Sequence, residues 1–190
     1  MRKEHLNKLI LTGVFAALSY VVFTFLQVKI SLPGGGATSI HLGNAVCVLG
    51  ALMLGGFWGG LGGAVGMTIG DLLDPVYVLT APKTFILKMC IGLITGFVAH
   101  RLGKIEHSKD RGHVLRWSVL ASVSELLFNI IFDPLFSYFY QRIILGEASA
   151  KLAFAANLAS TSINAVLSVL VAVFVYMALR PAIQRKLIAF

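Results

Sequence analysis

Residues 41–71 read HLGNAVCVLGALMLGGFWGGLGGAVGMTIGD, and the fold turns on this stretch. It divides into two apolar helices folded back on each other at Gly55-Gly56. In the second half Gly59, Gly63, Gly66 and Gly70 recur three or four residues apart, which puts them on one helix face. A glycine inside a helix in water costs about 1 kcal/mol relative to alanine. A stripe of them is expected where other helices approach closely, as small residues allow inside a membrane. Polar residues stand near the outer ends of the pair: His41 and Asn44 at its start, Asp71 and Asp74 at its finish.

Outward from this hairpin the whole chain has the same character. Its 190 residues are 57% hydrophobic and only 13% charged, and the mean hydropathy is +0.86. Soluble domains carry about 25% charged residues, and a spanning helix needs about 20 mostly apolar ones. Apolar segments run roughly over 6–26, 42–55, 57–73, 83–100, 117–140 and 153–179. The expectation is an all-α membrane protein of six transmembrane helices, with the glycine-rich hairpin as helices 2 and 3. One domain, residues 1–190, accounts for every segment. The first apolar run is too long for a signal peptide, and no small-x-small cleavage site follows it, so it reads as a retained helix. Cys47 and Cys90 lie inside apolar segments and read as small buried hydrophobes.

The net charge of +8 follows from topology. Arg2, Lys3 and Lys8 precede helix 1. Arg101, Lys104, Lys109, Arg111 and Arg116 follow helix 4, and Arg180, Arg185 and Lys186 follow helix 6. With six spans all three groups share one side, and the positive-inside rule places that side, with both termini, in the cytoplasm. A basic patch for nucleic acid is the weaker reading beside so apolar a chain.

Helix 1 carries Gly13, Ala16 and Ala17, a small-residue face that serves either packing within the bundle or docking of a partner helix. The outer loop after it contains LPGGGATS; Pro33, Gly34, Gly35 and Gly36 make it non-helical, and its length suits a mobile cover over an outer cavity. Lys83 opens helix 4 and is expected to snorkel to the interface. Lys88 lies deeper and needs an anion or water. On helix 5 Glu125, Asn129 and Asp133 are spaced by four and form one polar stripe, with Pro134 directly after it. On helix 6 Asn157, Thr161, Asn164 and Ser168 share a face. If helix 5 runs outward and helix 6 inward, the two polar faces meet in the outer half of the membrane. Ionisable groups there mark a ligand site, and Phe128, Phe132 or Phe136 would wall it for a planar ring.

Several chemistries have no support in the sequence. There is no Gly-x-x-x-x-Gly-Lys-Ser/Thr loop, no His-Glu-x-x-His pair and no Gly-x-Ser-x-Gly elbow. The acids do not cluster as metal-dependent phosphotransfer would require. Polar groups without a nucleophile or metal set point to binding rather than catalysis.

The blocks HLGNAVCVLGALMLGG, GGLGGAVGMTIGDLLD and APKTFILKMCIGLITG, with the length, the six spans and the basic loops, resemble the substrate-binding S components of energy-coupling factor (ECF) vitamin transporters. The likeness is to the riboflavin-type branch, which also contains components for pyridoxine-like and hydroxymethylpyrimidine-like vitamins. The resemblance implies a multi-pass protein of a prokaryotic plasma membrane that binds a vitamin and is not an enzyme. A transmembrane T component and two separate ABC ATPases would supply the energy, and no cofactor or metal is implied. It places partner docking at Gly13, Ala16 and Ala17 and a lid at the loop containing Pro33, Gly34, Gly35 and Gly36. It places the pocket among Lys83, Lys88, Asn129, Asp133, Asn157 and Asn164, to which the hairpin mouth adds Asn44 and the helix 6 face adds Thr161. Amides and a carboxylate suit ring hydroxyls and a ring nitrogen, so a pyridoxine-like (vitamin B6) or hydroxymethylpyrimidine ligand is expected, with riboflavin the alternative. A structural six-helix protein of the cell-shape machinery is the alternative from another class.

Overall fold

A computed structural model describes residues 3–31, 37–144, 146 and 150–184. The elements follow in the order α1 (Lys3–Phe25), β1 (Gln27–Ser31), β2 (Ala37–His41), α2 (Gly43–Leu54), α3 (Gly56–Leu72), α4 (Ala81–Gly96), α5 (Arg111–Phe139) and α6 (Ala150–Gln184). A 3-10 turn at Val78–Thr80 leads into α4, and π-helical turns extend α4 over Phe97–Leu102 and α5 over Tyr140–Ile144.

Among the described residues four helical stretches are long and apolar enough to cross a membrane: Glu4–Phe25, Val78–Leu102, Arg111–Ile143 and Phe154–Ile183. The two helices of the hairpin are shorter. At 1.5 Å per residue α2 rises only about 18 Å, well under the roughly 30 Å of a bilayer core. Large apolar side chains such as Ile10, Leu127, Leu170 and Phe174 are exposed on the outside of the bundle. In water that surface would be a liability; in lipid it is the expected boundary.

The hairpin is central because its glycines remove side chains where backbones meet. Gly55 turns the chain between α2 and α3 at φ +88°, a conformation that a Cβ would strain. A Cβ on Gly59 would fall on the backbone of Gly50 and Ala51 in α2. One on Gly66 would meet the Ala16 carbonyl of α1, and one on Gly92 of α4 would fall on Gly60 of α3. Helix α3 is thus wedged between α1, α2 and α4. The core of the bundle gathers Phe15, Cys47, Val48, Leu52, Ile91, Val114 and Ala172.

The six helices among the described residues agree with the all-helical class read from the sequence, and the loop after α1 adds a detail to it: it begins and ends in strands paired antiparallel, with Gln27 opposite His41 and Ser31 opposite Ala37. The alternation of polar and apolar residues in QVKIS suits a strand, whereas ATSIH carries two consecutive polar residues, Thr38 and Ser39. Pro33, Gly34, Gly35 and Gly36, the expected lid, lie outside the described residues. Pro134 is buried within α5, which continues past it to Phe139. The proline removes one N–H from the helical ladder without ending the helix.

Candidate functional site

The strands are held from both sides. On β2 the His41 N–H donates to Asn164 Oδ1 at 2.9 Å, and Asn164 Nδ2 donates to the Ser39 carbonyl at 2.9 Å. Thr38 Oγ1 and Ser160 Oγ share a hydrogen bond of 2.6 Å. These contacts tie β2 to α6. On β1 Lys29 pairs with Asp74 and lies 5.5 Å above the Tyr77 ring, which ties β1 to the α3–α4 connection. That connection is fastened in turn to α5, where Tyr140 Oη donates to the Leu79 carbonyl at 2.7 Å. The β-hairpin therefore bridges α6 and the α3–α4 connection.

Beneath it lies a cavity of ≈ 130 Å³. Its wall includes Asn44 of α2, Lys83 and Lys88 of α4, Asn129 and Asp133 of α5, and Asn157, Thr161 and Asn164 of α6. The structure thus brings together all eight residues that the sequence nominated. Helix periodicity explains this: residues 129 and 133 share the inward face of α5, as 157, 161 and 164 share that of α6.

At the centre is an ion cluster. Lys83 Nζ donates to Asp133 Oδ1 at 3.0 Å and to Ser137 Oγ at 2.8 Å. Lys88 Nζ stands 3.6 Å from Asp133 Oδ2. Lys83 therefore turns into the bundle instead of snorkelling, because Asp133 offers a buried counter-charge. Lys88, only 5% exposed, finds the anion that its depth demands.

Other polar groups have no such partner. Asn129 is fully buried, and neither its Oδ1 nor its Nδ2 bonds a protein group among the described residues. The same holds for Asn44 Oδ1 and, one turn below Asn129, for both carboxyl oxygens of Glu125. Leaving a buried polar atom unbonded costs about 1–3 kcal/mol, so the unbonded amides of Asn44 and Asn129 in the cavity wall mark a site prepared for something polar.

Charge at the rim is set by local contacts. Burial raises the Asp74 carboxyl, but the Lys29 ammonium and the Val76 N–H outweigh it and hold the group below its usual range. Burial pushes the Tyr77 phenol up to about 12. His41 is lowered to about 3 by burial, reinforced by Lys88. It is a neutral ring whose Nδ1 accepts from the Gly43 N–H at 3.2 Å.

The expected aromatic wall is not where the sequence suggested. Phe128 and Phe132 stack on each other with centroids 4.7 Å apart, Phe132 and Phe136 are exposed, and none of the three lines the cavity. One residue back from Asn129 turns the side chain by about 100°, away from the polar face. The aromatic groups present are Phe23 of α1 and Tyr77. Sequence reasoning also left Thr38, Ser39, His41, Asp71, Thr84 and Ser160 out of the lining. Strand alternation over residues 37–41 would have grouped Ser39 with His41, whereas Thr38 belongs to the opposite face of the strand.

A family model described as the S component of ECF-type riboflavin transporters matches residues 3–181. The chain belongs to this family: it is an ECF S component, a membrane-embedded, substrate-binding subunit for uptake of a vitamin, and not an enzyme. The family sets aside the alternative of a cell-shape protein. Comparison with curated proteins found no match.

Proposed function

We propose that the cavity beneath the β-hairpin is the vitamin site and that its ligand is a small hydroxylated ring, pyridoxine-like or hydroxymethylpyrimidine-like. The observation that carries this is the set of buried, unpartnered amide atoms on Asn129 and Asn44 beside the Lys83–Asp133–Lys88 cluster. Amides supply both donors and acceptors to ring nitrogens and hydroxymethyl groups, and a carboxylate between two ammonium groups accepts from a hydroxyl. Asn157, Thr161 and Asn164 complete the polar wall. Riboflavin is the second reading, favoured by the description of the matching family.

In this reading residues 1–190 form one six-span domain with both termini cytoplasmic, in the plasma membrane of a prokaryote. The cavity faces outward. A transmembrane T component docks on the side of α1 that carries Gly13, Ala16 and Ala17, and two ABC ATPases drive the cycle. Gly13 and Ala17 are exposed, which suits docking, whereas Ala16 is half-buried against α3.

The test is to denature the purified protein, identify released small molecules by mass spectrometry, and titrate the apoprotein calorimetrically with each vitamin. A pyridine or pyrimidine vitamin binding at nanomolar strength supports the first reading. A flavin supports the second. No binding across the panel removes this cavity as a vitamin site.

A further inference from the structure

At the end of the bundle opposite the cavity, α5 begins and α6 finishes. Arg180 is buried there, and neutral oxygens hold its guanidinium. Nη1 donates to Tyr176 Oη at 3.0 Å, and Nη2 donates to the carbonyls of Ile105 at 2.8 Å and Ser108 at 2.6 Å. Arg180 adjoins a cleft of ≈ 90 Å³ whose other walls are Lys109, Arg111, Met177 and Pro181. Among the described residues no carboxylate pairs with any of these three cations. The nearby acids are engaged elsewhere. Asp110 accepts from the N–H groups of Gly112 and His113 at 2.9 and 3.2 Å. Glu106 faces His107 and His100 at 3.3 and 3.6 Å.

We infer that Lys109, Arg111 and Arg180 form a binding site for the phosphate of an anionic phospholipid. Three neutral oxygens fix the guanidinium in place without cancelling its charge, so that charge stands with those of Lys109 and Arg111 around the cleft and attracts a phosphate. The position supports a lipid source. The cleft lies where the apolar stretches Arg111–Ile143 and Phe154–Ile183 reach their ends, at headgroup depth. Its floor of Met177 and Pro181 continues along α6 to Phe174 and Leu170, both exposed, at spacings of three and four residues. That stripe offers an acyl chain a path below its own headgroup.

The full-length protein in detergent is titrated with dioleoyl phosphatidylglycerol, with dioleoyl phosphatidylcholine, and with phosphatidylglycerol in competition with inorganic phosphate. Bound lipids are counted by native mass spectrometry. The variant is Lys109→Gln/Arg111→Gln, whose two side chains are exposed and unpaired, so the fold is retained; Arg180→Lys keeps the charge and loses the three tethers that fix it beside the cleft. The wild type should retain phosphatidylglycerol over phosphatidylcholine. Each cation near an anionic lipid is worth about fivefold, so the double variant should lose about thirtyfold. Arg180→Lys should also weaken retention while leaving vitamin binding intact. Unchanged retention in the double variant overturns the inference, as does equal retention of the two lipids. Displacement by inorganic phosphate at the lipid's own concentration would assign a free-anion site and overturn the lipid.

Discussion

Asp133 Oδ1 accepts from Lys83 Nζ at 3.0 Å, joining α5 to α4 across the cavity. Both side chains are about 85% buried, so the pair is shielded from solvent screening on most sides. Removing Asp133 would leave two inward-facing ammonium groups without their anion.

Asp133→Ala should therefore lower stability by about 3 kcal/mol, the low end for breaking a buried ion pair. Thermal unfolding in detergent reads this directly. Vitamin affinity should fall more than tenfold. Adding Lys88→Met should recover part of the stability and none of the affinity. Recovery of both would make Asp133 a packing residue with no hold on the ligand.

Asn164 is the clasp between β2 and α6. Asn164→Ala strips a partner from the His41 N–H and from the Ser39 carbonyl, at about 1–3 kcal/mol for each buried group left unbonded. A looser hairpin should release ligand faster, so the dissociation rate should rise at least tenfold while association changes little. Asn164→Asp keeps the acceptor for His41 and loses only the donor to Ser39, so it should fall between. Stopped-flow displacement of bound vitamin distinguishes the three proteins, and equal off-rates would remove the hairpin from control of release.

The neutral ring of His41 predicts a pH dependence. Unfolded histidine titrates near 6.5, whereas the folded group is lowered to about 3 by burial and by Lys88, with Asp133 opposing and Lys83 adding a smaller push. Between those values the unfolded chain binds the extra proton, so stability rises with pH across the window and is lost as pH falls through it. Unfolding midpoints measured from pH 4 to 8 should climb and then level above about 6.5. His41→Gln should flatten that slope. A slope unchanged in the variant would assign the effect to other groups.

Much of this site was legible in the sequence because helices repeat. Glu125, Asn129 and Asp133 stand four apart, and four residues return a side chain to nearly the same face. The same arithmetic grouped Asn157, Thr161 and Asn164. Less legible was anything that depends on how two elements meet. Lys83 resembles an interfacial lysine until the inward face of α5 is known to bring Asp133 to it. Phe128, Phe132 and Phe136 form a stripe as regular as the polar one, and only its angular offset turns them away from the cavity. The β-hairpin was hidden by the Pro33–Gly36 break, which reads as a loop although the flanking five-residue runs pair.

The glycines permit a last prediction with two opposite outcomes. A Cβ on Gly92 would land on the Gly60 backbone, and backbone cannot move aside as a side-chain tip can. Gly92→Ala should force α3 and α4 apart and cost at least about 3 kcal/mol, the upper range for overpacking a close-packed site. Gly13 meets nothing within 4 Å, so Gly13→Leu has open space and should leave unfolding and vitamin affinity unchanged. Gly13 lies on the exposed side of α1 with Ala17, one turn away. If a T component docks there, Gly13→Leu and Ala17→Leu should abolish co-purification with the energising module and vitamin uptake in cells, while isolated binding persists. The discriminating measurement is the pair of readouts on one variant. Lost uptake with intact binding places the partner on α1, whereas intact uptake moves the docking surface to another helix.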